Sequence, residues 1–290
     1  LSIMDLYTKL KVVLNKKIFI HLSSVLILFA NSVATIIYAN SDITMLGFFR
    51  DSYEVGVYGL SSKIYSGVKS VIAAVVVVTL PQLSAWVGNK EKEQYDKLLD
   101  KLIEKFLLIM IPASIGLFLL SKEVIYIVGG NEYAEGYKSL LILCIAIVVS
   151  MISYFLWSTI LMPNKKEKNF LVGTIMSAAF NIFANFYFIP KYGYNGAAIT
   201  TVCSELIVLT CCIINSKKIS SLKISRNIIL ILGVSVFCLF LLNFFVRVLF
   251  KNTWAIVGSL VISFMVIYYY LLLAFGFPVK DLIRNLSSNK

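Results

Sequence analysis

Ser139-Leu-Leu-Ile-Leu-Cys-Ile-Ala-Ile-Val-Val-Ser-Met-Ile-Ser-Tyr-Phe-Leu-Trp-Ser-Thr-Ile-Leu-Met-Pro-Asn164 carries no charged residue from end to end. About 20 mainly apolar residues are enough for one helix to cross the hydrocarbon core of a bilayer, so this stretch reads as a membrane span. Working outward, similar uncharged runs occupy Ile18–Ser41, Ser70–Asn89, Phe106–Ser121, Asn169–Pro190, Asn227–Val246 and Asn252–Val279. An eighth, Gly196–Asn215, is interrupted by Glu205. The second run starts nearer Val57 and then encloses Lys63 and Lys69; the third is short, contains Pro112, and draws on the stems of Glu104 and Lys105. Lipid leaves only helices and closed barrels as spanning structures, and the alternation of a barrel strand is absent. The expected fold is an all-α integral membrane protein of about eight transmembrane helices.

Lysine and arginine are distributed in register with these runs. One set of alternate loops holds 18 of them, in groups at Lys9–Lys17, Lys90–Lys101, Lys165–Lys168, Lys217–Arg226 and Lys280–Lys290. The opposite loops hold six: Arg50, Lys122, Lys138, Lys191, Arg247 and Lys251. The positive-inside rule places the richer side, and both ends of the chain, in the cytoplasm. The formal net charge of +12 is thus a topology signal, with some contact to anionic lipid, and no nucleic-acid partner is expected. With 59% hydrophobic and 14% charged residues, the composition excludes an ordinary soluble domain.

The loops are short, the longest being Asp42–Gly56, Asn89–Lys101 and Lys122–Lys138, so function must reside in the helices. There is no Walker A sequence, no HExxH and no GxSxG, and the single histidine is His21. All five cysteines fall within spans, where they act as small apolar residues. No catalytic residue, metal site or cofactor is expected, which points to a transporter and away from an enzyme. The chain opens on Leu1 and a polar, lysine-bearing segment, which reads as a connector within a longer protein.

Three stretches carry more than composition. They are Asp42-Ile-Thr-Met-Leu-Gly47 followed by Val55-Gly-Val-Tyr58-Gly-Leu-Ser-Ser-Lys63-Ile64; Leu80-Pro-Gln-Leu-Ser84; and Ile189-Pro-Lys-Tyr-Gly193-Tyr-Asn-Gly196-Ala-Ala-Ile-Thr200. Gly193, Asn195 and Gly196 suit a tight turn, Ala197 and Ala198 let the next helix pack closely, and Pro81 and Pro112 can kink or end helices. These motifs resemble the Wzx-type polysaccharide-biosynthesis flippases of the multidrug/oligosaccharidyl-lipid/polysaccharide exporter superfamily. The resemblance implies a MATE-like C-terminal lobe of six helices (18–216), preceded by a cytoplasmic connector (1–17) and followed by two added helices (217–279) and a cytoplasmic tail (280–290). It also implies an N-terminal lobe of the same protein as partner, since alternating access needs two halves.

Intramembrane polar residues are the candidate substrate-binding positions. Lys63 and Lys69 are six residues apart, about 240° around a helix, so they do not share a face; either could hold a phosphate, or Lys63 could snorkel. Glu205 could pair with a lysine, bind a proton or sodium ion, or contact a sugar hydroxyl. Asn181 and Asn185 share a helix face and, like Asn31, could bond sugars or neighbouring helices. Asp42 and Arg50 read more as solvated loop charges at the outer mouth than as ligands.

If the resemblance holds, the chain takes part in flipping a lipid-linked (undecaprenyl diphosphate) oligosaccharide across a bacterial cytoplasmic membrane for O-antigen or capsule, alongside polysaccharide polymerase machinery and membrane lipids. The alternatives are multidrug or lipid II export by the same superfamily, an integral-membrane glycan polymerase or acyltransferase, and an inactive fragment.

Overall fold

The computed structural model describes residues 18–276; the expected connector 1–17, the tail 280–290 and the end of the last apolar run lie outside the described residues. The helices are α1 (Ile18–Phe49), α2 (Ser52–Val77), α3 (Leu80–Gly88), α4 (Lys92–Leu119), α5 (Ser121–Gly129), α6 (Tyr137–Leu156), α7 (Glu167–Ser216), α8 (Arg226–Leu249) and α9 (Thr253–Ala274). A 3-10 turn at Ala134–Gly136 leads into α6, which leaves through a π-helical turn at Trp157–Leu161. Six helical stretches are long and apolar enough to cross a membrane by length and composition. One of these is α7, which breaks at Gly193 into two arms. With α1 included, the described parts of all eight apolar runs fall in helices, and the all-α membrane architecture stands.

Helix ends depart from the expected loops. α1 runs on through Asp42 to Phe49, α4 begins at Lys92, and Ser121–Gly129 is helical. Lys and Glu are good helix formers, which carries α4 and Ser121–Gly129, while α1 is carried past Asp42 by the buried Met45 and Leu46; a charge marks where the apolar run stops, not where the helix stops. The α1–α2 corner is tight because Asp51 caps α2, its side chain accepting the Glu54 N–H at 2.9 Å.

The two helix-borne prolines act differently. Pro81 sits in the first turn of α3, where its missing N–H costs nothing, and α2 ends ahead of it. Pro112 lies inside a continuous α4 and cannot donate to the Leu108 carbonyl one turn back. Tyr268 of α9 supplies the missing donor, its hydroxyl meeting Leu108 O at 2.7 Å. Tyr268 thus repairs the helix it packs on, while Tyr269 and Tyr270 are exposed.

The two arms of α7, residues 167–192 and 194–216, form an antiparallel hairpin. Asn169 bonds Asn215, Ser177 donates to Ser204 O, and Thr200 bonds Asn185. Gly193 makes the break with φ +56°, and a Cβ there would lie 2.1 Å from Glu54 Oε2. Gly196 has another reason to be glycine: its missing Cβ leaves room for the Phe188 carbonyl, which would stand 2.3 Å away. Ala197 and Ala198 are fully buried beside it.

The main core joins α1, α2, α3, α4, α6 and α7 through residues such as Leu46, Ile72, Leu99, Phe106, Phe155 and Ala197. α8 and α9 pack on each other and on α4 through Leu108, Ile231, Leu239, Leu260 and Leu272. Two polar devices tie them down. Asp96, Asp100 and Glu104, one turn apart on α4, accept bonds from Ser220 Oγ, Lys223 N and Ser225 N of the segment that connects α7 to α8. Arg247 forms a bidentate pair with buried Glu123, at 2.7 and 3.1 Å, and also donates to Leu119 O.

Candidate functional site: a polar chain through the helix bundle

Apolar side chains gain little by leaving lipid for another helix, so polar contacts specify how membrane helices meet. Here they form a chain along α1, α2, α6 and α7. At the α1–α2 corner, Arg50 donates to the carbonyls of Ile189 and Pro190 at 3.2 and 2.8 Å. Those are orphan carbonyls at the end of the first arm of α7. Glu54, 3.7 Å from Arg50, accepts the Tyr194 N–H that opens the second arm, at 3.0 Å. Each charge complements the helix end it caps. Arg50 is thus not a solvated loop charge; it and Glu54 clasp the break at Gly193.

Eight residues before Arg50, about 12 Å along the helix, Asp42 is 3% exposed. The reading of Asp42 as a loop charge is overturned, because α1 continues past it and packs that face on α7. One carboxylate oxygen accepts from Tyr58 OH at 2.8 Å and Thr201 Oγ1 at 2.7 Å; the other accepts Asn185 Nδ2 at 2.6 Å. Asn185 also reaches Asn181 Oδ1 at 3.1 Å, which accepts Ser41 Oγ at 2.9 Å. Asn181 and Asn185 do share a face, and both are buried in this network. Among the described residues no lysine or arginine pairs with Asp42. All three partners are neutral hydrogen-bond donors, two hydroxyls and the Asn185 amide N–H, so the carboxylate has no counter-charge among the described residues.

Deeper along α2, Lys69 meets Glu205 of α7 at 3.2 Å. Tyr65 completes the group, donating to Glu205 at 3.1 Å, receiving Lys69 at 2.9 Å and reaching Ser150 at 3.4 Å. Lys69, and not Lys63, is the partner of Glu205. Lys63 points the other way, as the helical spacing requires, and is exposed beside Ser66, Gly67 and Ser70. It makes no ion pair among the described residues. Asn31 is buried, and its Oδ1 has no partner among the described residues. The Lys69–Glu205 pair borders a cavity of about 270 Å³, with Thr35, Ser150, Tyr154 and Ser177 among its walls.

The sequence reading missed Tyr58, Tyr65, Thr201 and Glu54. A signal existed: Tyr58 and Tyr65 are seven apart, and Thr201 and Glu205 four apart, each pair on one helix face. Which faces meet is not written in the spacing.

Fold and site together define a polytopic all-helical membrane protein with a polar interior. Residues 14–267 match the family model described as lipid II flippase MurJ, and the chain belongs to that family. It is 25% identical over 174 residues to the probable low-salt glycan biosynthesis flippase Agl15 of Haloferax volcanii, covering 60% of this chain and 37% of that protein. It is 29% identical over 161 residues to the capsular polysaccharide biosynthesis protein CapF of Staphylococcus aureus, covering 52% and 40%. Among solved structures it resembles lipid II flippase MurJ in an inward closed conformation, with TM-score 0.66, 18% identity, and coverage of 94% of this chain and 57% of that one. An outward-facing multidrug-resistance MATE transporter follows at TM-score 0.60, 16% identity, 76% and 53%. The matched segment amounts to about two fifths of each curated relative.

Proposed function

We propose that this chain forms one lobe of a flippase that carries a lipid-linked glycan across a bacterial cytoplasmic membrane. Residues 18–216 would be the six-helix lobe and 217–279 the two added helices, with both ends of the chain on the cytoplasmic side, where the lysine-rich loops lie. The observation that carries the reading is membership of the lipid II flippase family together with a polar cavity between long apolar helices. Curated relatives named for glycan and capsule biosynthesis support a sugar-bearing cargo. A polyprenyl diphosphate oligosaccharide, including a capsule or O-antigen unit, fits this reading, as does lipid II.

Lys63 is the better ligand for an anionic head, since its ammonium is exposed and unpaired among the described residues, while Lys69 is engaged by Glu205. The Asp42 network would hold the coupling ion: the side-chain oxygens of Asp42, Asn181 and Thr201 would face it, and a bound cation or proton would neutralise a buried carboxylate that has no basic partner among the described residues. Complementation by the complete protein, in strains lacking their own flippase for lipid II, capsule or O-antigen units, tests the function. Restored surface glycan or growth in any one supports the reading; failure in all, at normal membrane levels, overturns it. Asp42→Asn should abolish complementation while preserving the bonds from Tyr58 and Thr201.

A further inference from the structure

We infer that the cavity beside Lys69 and Glu205 is a binding subsite for a single neutral sugar ring, a refinement that rests on the flippase reading above. The walls come from five directions: Thr35 of α1, Lys69 and Ser70 of α2, Ser150 and Tyr154 of α6, and both arms of α7. At about 270 Å³ the cavity falls below the roughly 300–1,000 Å³ of pockets for drug-sized ligands. That is room for one ring, not for a whole repeat unit.

Its polar groups are left half-used in a particular way. Glu205 Oε1 takes both Tyr65 and Lys69, while Oε2 accepts nothing among the described residues. Lys69 has three donors and spends two, on Tyr65 and Glu205. Thr35, Ser70, Ser153 and Thr174 each donate to a carbonyl four residues back on their own helix. Their hydrogens are committed and their oxygen lone pairs remain. The cavity thus offers one ammonium donor, one carboxylate acceptor and several hydroxyl acceptors, a match for a ligand rich in O–H groups.

The apolar part of the lining completes the fit. Tyr154, Phe170, Met151 and Val208 border the same space, and Phe170 is fixed by stacking on Trp157, with ring centroids 4.1 Å apart. An aromatic wall facing polar groups suits the C–H face and hydroxyl edge of a pyranose. Charge excludes the competing ligands: Glu205 opposes a phosphate, and Lys69 opposes a cation. Lys69 remains 28% exposed in its side chain, so the pair is open on the cavity side and not sealed between helices.

The test is saturation-transfer NMR on the complete purified protein, with methyl glycosides of glucose, galactose and N-acetylglucosamine as probes. The wild type should transfer saturation to at least one of them. The Lys69→Met/Glu205→Leu double variant removes both charges together, leaves neither orphaned, and should lose that transfer. Tyr154→Leu keeps the pair, guards against a folding artefact, and should weaken the signal from the ring protons. Equal signals from wild type and both variants, or none from any, would overturn the subsite. A glycoside that binds to a protein unable to complement any flippase strain would uphold the subsite and sink the transport reading; complementation without glycoside binding would do the reverse.

Discussion

Lys69→Met gives a penalty that can be worked from the structure. Lys69 stands 3.2 Å from Glu205, whose side chain is 9% exposed. Removing one member of a buried pair costs about 3–5 kcal/mol, because the other charge is left without compensation. Lys69 keeps some exposure on the cavity side, 28% of its side chain, so the loss should fall at the lower end of that range. Chemical denaturation of purified wild type and Lys69→Met at pH 7 should show a deficit of about 3 kcal/mol. The Lys69→Met/Glu205→Leu double variant removes both charges and should recover most of the loss. A single variant as stable as wild type, or a double variant no more stable than the single one, would refute the claim that Lys69 compensates the Glu205 carboxylate.

Four further outcomes are expected. Lys63→Met should leave the thermal midpoint unchanged but cut complementation, because the side chain is exposed and unpaired among the described residues; full activity would remove Lys63 from the binding surface. Gly196→Ala places a Cβ 2.3 Å from the backbone oxygen of Phe188, which cannot yield, and should collapse the yield of monodisperse protein on size-exclusion chromatography. Tyr268→Phe leaves Leu108 O without its donor and should cost about 1–3 kcal/mol, read as a lower melting midpoint. Arg247→Ala strands buried Glu123 and should cost about 3 kcal/mol, with α8 and α9 becoming sensitive to limited proteolysis before the remaining helices.

Particular residues show why some of this was legible in one dimension. The span count rests on apolar length, a local quantity fixed by the thickness of a bilayer, so runs such as 139–164 and 227–246 were found within a few residues of the helices that contain them. The divergence of Lys63 from Lys69 is also local, being fixed by 100° per residue. The Pro190–Ala198 turn was legible as a turn for the same reason. The role of Asp42 was not. A charge next to an apolar run reads as the start of a loop, and nothing in the neighbouring sequence announces that Thr201, Asn185 and Tyr58 will surround it. Arg50 was misread likewise, since the carbonyls it caps lie 139 and 140 residues away.

The sequence by itself determined the class of molecule: an all-helical bundle with eight apolar runs and a strong alternation of charge, because lipid solvates apolar surface and demands internal hydrogen bonding of each span. Only the tertiary structure decided which polar residues matter together. Lipid does not drive helices together by hydrophobicity, so the choice of facing surfaces falls to a few hydrogen bonds and ion pairs between residues far apart in the chain. Asp42 with Thr201, Lys69 with Glu205, and Tyr268 with Leu108 exist only once the helices have met.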